Sequence, residues 1–310
     1  MPHVLPVPRP TSGRSESAQP PRHFAGFAWF VLAWNVLVGI EGAFVRATGS
    51  GAGCGNHWPL CNGQVLVGTR ATATLIEFAH RSMTGIDTAL IIALVIWAFR
   101  AFPAGHAARL GATLSTIFLV TEALIGAALV KFGLVVNDAS LAREAVLSIH
   151  LTNTLTLLAC VTLTAWWGAG HRRMVPNWQC WVSLGTALAL GITGAMTALA
   201  DTLYPVQSLA AGFAQDLNPD ASFALKLRAI HPFFAVAAGI WLIYYAITRF
   251  TDARPLAQGL MAIVAAQLIA GTANLLLLTP ITMQLIHLLL AYTLWIALVS
   301  LCWHSKRLRM

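Results

Sequence analysis

Runs of about 20 mostly apolar residues, separated by short polar stretches, recur eight times along the 310-residue chain. They cover about 24–45, 75–99, 108–131, 144–168, 180–201, 225–249, 256–278 and 281–303. Roughly 20 apolar residues in a helix span the hydrocarbon layer of a bilayer. The runs are continuously apolar and do not alternate at period two, so they predict helices, not the strands of a barrel. The last two are separated only by "LLTPIT", where Pro280 breaks the helix. The pattern predicts an all-α integral membrane protein with eight transmembrane helices.

Composition agrees: 57% of residues are hydrophobic and 10% charged, against about 25% charged in a soluble domain. The net charge of +8 therefore speaks to topology and not to nucleic acid. Twelve of the 19 Lys and Arg, including Arg9, Arg100, Arg109, Arg172, Arg249 and Lys306, fall on the side that holds both termini. That side is expected to be cytoplasmic, in a bacterial cell (inner) membrane. Residues 1–23 are polar, carry six prolines and show no amphipathic period. They are expected to form a disordered cytoplasmic tail, not a cleaved signal. The loops about 46–74 and 202–224 are long and lie on the outer side.

The chain repeats itself. "LVGIEGAFVRAT" in the first span matches "ALGITGAMTALAD" in the fifth, aligning Gly39 and Gly42 with Gly191 and Gly194. "TEALIGAAL" in the third matches "AQLIAGTAN" in the seventh, aligning Gly126 with Gly271. Four spans return the chain to its starting side, so the repeat predicts two four-helix bundles, residues 24–170 and 171–310, related by a pseudo-twofold along the membrane normal.

Each even-numbered span carries one histidine near its outer end: His80, His150, His231 and His287. They sit five to seven residues in, about 8–10 Å below the expected helix starts. An ionisable group inside the bilayer is costly and marks function. Two histidines on separate helices of a four-helix bundle suit the axial positions of a haem, which gives one site per half. The halves differ three residues before the histidine, where Glu77 precedes His80 and Arg228 precedes His231. Glu77 has two readings, a proton-handling acid or a helix-start residue favoured by the dipole. Arg228 either meets a haem propionate or snorkels, and Arg46 and Arg81 are further candidates for propionates. Glu41, Asp87 and Glu122, also within spans, are expected to pair structurally.

The outer loop "GCGNHWPLCNG" holds Cys54 and Cys61, the only cysteines on that face. In an oxidising compartment this pair is expected to form a disulfide. Its glycines and Pro59 make the loop a succession of turns.

"GAFVRATGSG" leading into "CGNHWPLCNG", then "EFAHR", "IHLTNT", "RAIHP" and "QLIHL", resemble the haem A synthases, a family that includes the mitochondrial Cox15-like proteins. The resemblance covers the chain after residue 23. It implies an oxidoreductase that converts the ring methyl of haem O to the formyl group of haem A by successive hydroxylations, for cytochrome oxidase. It further implies a haem B cofactor with His231 and His287 as axial ligands, and His80 and His150 as ligands of the substrate haem. Glu77, in the family's E-x-x-H position, would be the catalytic acid, and Cys54–Cys61 would clip a lid over the substrate end. The partners it implies are haem O, the haem O synthase, cytochrome oxidase assembly factors and an electron acceptor of unstated identity, with room for a homo-oligomer. From the residues alone a dihaem b-type cytochrome in quinone-linked electron transfer shares the four histidines. A duplicated transporter would instead place its polar site at the midplane.

Overall fold

The computed structural model describes residues 23–68 and 71–304; of the expected tail, only His23 lies within them. The described residues form nine helices: α1 (Phe24–Ala47), α2 (Thr72–Ala101), α3 (Ala107–Lys131), α4 (Leu141–Gly168), α5 (Trp178–Leu203), α6 (Leu209–Asp216), α7 (Phe223–Thr248), α8 (Arg254–Leu276) and α9 (Ile281–Cys302). All but α6 are long and apolar enough to cross a membrane, and their limits fall within about three residues of those read from hydropathy. The chain is a multi-pass α-helical membrane protein. Its outward surface is fittingly apolar, with Phe30, Val120, Phe233 and Ile269 all exposed.

Side-chain caps set several helix starts. Ser140 Oγ accepts from Arg143 N, Asn177 Oδ1 from Cys180 N, and Ser222 Oγ from Leu225 N, which satisfies amides that have no partner inside the helix. α6 was not foreseen. Its eight residues are too few to register as a span, and it is started by Ser208 Oγ accepting from Ala211 N.

The helices form two rings. In the first, α1, α2, α3 and α4 touch in sequence and α4 closes on α1. In the second, α5, α7, α8 and α9 do the same. α2 therefore lies diagonally across from α4, and α7 from α9. The rings meet through α1 and α4 on one side and α5 and α9 on the other.

The larger apolar core lies at one end, and a smaller buried cluster of Ala200, Ala224 and Leu225 lies at the other. Phe24, Ile91, Ala108, Leu158, Leu242 and Leu298, all buried, belong to one cluster that occupies the end where α1 begins and α9 finishes. There a disulfide joins Cys180 of α5 to Cys302 of α9, with Cα atoms 5.6 Å apart. Just above this core, Asn35 donates to Asp87 at 2.7 Å, the structural pairing expected of Asp87. The pairing expected of Glu41 is not found: it is half-buried and makes no polar contact among the described residues.

At the opposite end the rings are tied by polar groups. Arg46 of α1 donates to Ala198 O (2.6 Å) and Thr202 Oγ1 (2.5 Å) on α5 and to Gln284 Oε1 (3.1 Å) on α9. Deeper, Trp295 Nε1 donates to Leu155 O at 2.7 Å. Truncating Arg46 strands its partners in a partly buried seam, a loss of about 1–3 kcal/mol. Arg46→Ala is thus expected to lower the unfolding midpoint in detergent by several degrees. Arg100→Ala, at an exposed helix end, should leave it unchanged in the same scan.

Candidate functional site

The four histidines stand on the two diagonal helix pairs, His80 on α2 against His150 on α4, and His231 on α7 against His287 on α9. They come eight, nine, eight and six residues after the first residue of their helices, or roughly 9–14 Å along them. For His80, His150 and His231 that is deeper than the 8–10 Å read from the sequence, because α2, α4 and α7 begin two or three residues earlier than hydropathy suggested; α9 begins at 281 as expected, and His287 falls within the range. Each imidazole is half-buried, at the margin of the apolar core that Leu151 and Leu288 pack against.

A glycine on the preceding helix faces every one of these rings. A Cβ on Gly42 would lie 3.1 Å from His80 Cε1 and 3.5 Å from Nε2, and one on Gly194 would lie 3.1 and 3.6 Å from the same atoms of His231. A Cβ on Gly271 would come 2.9 Å from His287 Cε1, and one on Gly126 would lie 4.0 Å from His150 Nε2. The glycines one turn earlier face the other ring instead. A Cβ on Gly39 would sit 2.8 Å from the Tyr292 hydroxyl, and one on Gly191 3.4 Å from Leu155. The repeat seen in the sequence thus has two uses: one glycine lets the rings close on each other, and the next gives an imidazole room.

Second contacts fix the imidazoles. His231 Nδ1 lies 3.0 Å from Thr193 Oγ1. His150 Nδ1 lies 3.3 Å from Glu122 Oε1. The Thr193 bond holds His231 Nδ1 and leaves its Nε2 to bind a metal. The Glu122–His150 approach is a close charge-pair distance that is not aligned as a hydrogen bond, so the Nδ1 atoms of His80, His150 and His287 are all buried without a hydrogen-bond partner; His287 Nε2 rests 3.2 Å from Gln267 Nε2. No group of three or more His, Cys, Asp or Glu that could cage an ion occurs among the described residues. Paired imidazoles across a ring, with glycine clearance beside each, fit the two axial positions of a haem.

Above each site a loop is tied to the position three residues before the histidine. In the first half, Cys54 and Cys61 form a disulfide, with Cα atoms 4.4 Å apart. Cys54 N donates to Glu77 Oε2 at 2.8 Å and Thr74 Oγ1 to Gly53 O at 2.8 Å. Arg81 bonds Glu77 at 2.5 Å and reaches Leu60 O at 2.5 Å. In the second half, Arg228 donates to Asp216 Oδ1 (2.8 Å) and Gln215 Oε1 (3.0 Å) of α6, and to Asp201 Oδ1 (3.3 Å). Here Arg46, Arg81 and Arg228, the candidate propionate contacts, spend their donors on protein: Arg46 on the seam, Arg81 on the cysteine loop and Arg228 on two carboxylates. Sequence reasoning missed Thr193, Gln267 and the link from Glu122 to His150. The repeat alignment held the signal, since Glu122 and Gln267 each stand four residues before an aligned glycine.

Overpacking such a contact displaces the ring. Gly194→Val is expected to reduce haem retained per protein severalfold on extraction. Gly185→Ala, which faces open space, should retain it in full.

Comparison with known proteins places the chain. The family model described as cytochrome oxidase assembly protein matches residues 25–299. A Thermus thermophilus protein named protoheme IX farnesyltransferase is 46% identical over 288 residues, 89% of this chain and 47% of that protein. A heme A synthase of Halalkalibacterium halodurans is 37% identical over 128 residues, 41% of this chain and 40% of its own. One from Geobacillus kaustophilus is 38% identical over 138 residues, 44% and 41% respectively. The matched part is under half the length of each relative. A family match that runs from α1 into α9 and takes in all four histidines shows that the chain belongs to the COX15-CtaA family of cytochrome oxidase assembly proteins.

Proposed function

We propose that this chain is a haem A synthase, oxidising the ring methyl of haem O to the formyl group of haem A. The observation that carries the reading is the repeated pairing of histidines on diagonal helices, each with a glycine clearing its ring, in a chain whose relatives include proteins named heme A synthase. The paired geometry also supports a pseudo-twofold relation between residues 24–170 and 171–310. The rings face the end expected to be outside.

His80 and His150 are assigned to the substrate haem, and His231 and His287 to a resident haem B. Haem B, when bound, supplies a one-electron redox centre. The halves divide in this way because of what stands above each site. Arg228, clamped between Asp201 and Asp216, closes α6 onto the second ring and cannot exchange protons. Glu77, one turn outward from His80, can. Turning a methyl into a formyl withdraws four electrons from one carbon, passed to an external electron acceptor; where water supplies the oxygen, each two-electron hydroxylation also releases two protons (R–CH3 + H2O → R–CH2OH + 2e− + 2H+). Glu77 is the group assigned to take them up. Its carboxylate also holds the cysteine loop through Cys54 N, so proton handling and the seating of that lid meet at one side chain. The Thermus relative, named for farnesyl transfer to protohaem and about twice as long as the match, supports a partner that makes haem O beside this chain.

Extraction of haem from protein purified with and without a haem O supply tests the reading. Haem B is expected in both preparations, with haem A and a hydroxylated intermediate only where haem O was supplied. His231→Ala and His287→Ala should lose haem B, while Glu77→Ala should keep it and lose conversion by at least about 100-fold. Two equivalents of haem B in both preparations, and no haem A, would make the protein an electron-transfer cytochrome instead.

A further inference from the structure

The two rings differ at two positions beside an imidazole: Thr193 contacts His231 where the aligned residue of the first ring is Glu41, and a second difference stands behind the α4 and α9 histidines. Four residues before the glycine that faces the α4 or α9 histidine, α3 carries Glu122 and α8 carries Gln267. Glu122 Oε1 lies 3.3 Å from His150 Nδ1. Gln267 offers His287 only an amide, 3.2 Å from Nε2.

The surroundings of the two side chains differ in the same sense. Asn153 Nδ2 donates to Glu122 Oε2 at 2.6 Å, and Thr154 Oγ1 donates to Oε1. Asn153 is itself held by Thr121 (2.6 Å) and by Phe118 O (2.8 Å). An acceptor ringed by donors is what a carboxylate requires. Asn153 and Thr154 come three and four residues after His150. The residues at the same spacing after His287 are Leu290 and Ala291, which have no donors to give. Gln267 Oε1 is correspondingly buried without a partner. The acid and the residues that hold it therefore occur together in one ring and are absent together from the other.

We propose that Glu122, 3.3 Å from His150 Nδ1 but not aligned with it as a hydrogen bond here, is a positioning residue for the substrate-haem site: when His150 ligates iron, Glu122 accepts its Nδ1 proton, fixes that ring with Nε2 toward the bundle interior, and makes His150 a stronger electron donor to iron than His287. A carboxylate behind a ligating imidazole raises the basicity of the ligand and favours the oxidised metal; a neutral amide does not. The substrate ring is then poised at a lower reduction potential than the cofactor ring, the order that favours drawing electrons out of the substrate side. This rests on the assignment of His80 and His150 to the substrate site, but its readout is a potential and not turnover.

The test is spectroelectrochemical titration of the purified holoprotein, with each haem identified by extraction. Glu122→Gln is expected to raise the midpoint of the haem in the first ring by about tenfold in its oxidised-to-reduced ratio, ~59 mV for one electron, and to leave the second ring's haem unmoved. An unchanged or lowered first-ring midpoint overturns the proposal. Should that variant lose its first-ring haem, Thr154→Val decides, because removing a donor leaves more of the carboxylate's charge to His150. A fall in the midpoint supports the proposal, and a rise or no change overturns it. If the synthase reading itself fails, wild-type protein shows haem B in both rings, a result that does not depend on either variant.

Discussion

The structure depends on an uneven distribution of close packing along the membrane normal. Buried apolar side chains from all eight spanning helices knit together at one end, and a disulfide between α5 and α9 lies within that region. The other end holds a smaller buried cluster, Ala200, Ala224 and Leu225, beside four half-buried imidazoles, and its rim is fastened by hydrogen bonds. Glycines facing the imidazoles give each ring clearance between the helices.

The rim is fastened by polar groups. Arg46 crosses from one ring to two helices of the other. Glu77 with Arg81, and Arg228 with Asp201 and Asp216, each tie an outer segment down onto a ring. The two fastenings differ in kind. Around Arg228 a cation meets two anions, a well-compensated arrangement that resists opening. Around Glu77 a single carboxylate serves both the loop and its own arginine. In the proposed division of labour the first arrangement suits a ring that keeps its cofactor, and the second a ring that must admit and release a substrate.

The same logic extends inward to the imidazoles. Duplicated halves provide two nearly equal cradles, as the matching contacts of Gly42 with His80 and of Gly194 with His231 show. Difference is then introduced by single side chains at equivalent positions: glutamate against arginine above the site, and glutamate against glutamine beside it. Neither exchange disturbs helix packing, so each can set chemistry without cost to the fold.

The spans, their approximate limits, the glycine repeat and the four histidines were all legible in the sequence, because bilayer thickness imposes a fixed apolar length and an ionisable residue within it stands out. The paired cysteines of the outer loop were legible for the same kind of reason, local spacing and a shared face. Partnerships across helices were not legible. The protein contacts of Arg46, Arg81 and Arg228, which were read as candidate propionate contacts, were not foreseen. Glu122 was read as a structural pair, as its bonds from Asn153 and Thr154 bear out, but its closeness to His150 was not foreseen. Glu41 was expected to pair and does not. Hydropathy records how deep a residue lies, whereas its neighbour depends on how helices are rotated about their axes. That rotation is settled by packing between α-helices far apart in sequence, so only the tertiary structure decided which glycine faces which imidazole and which acid stands behind it.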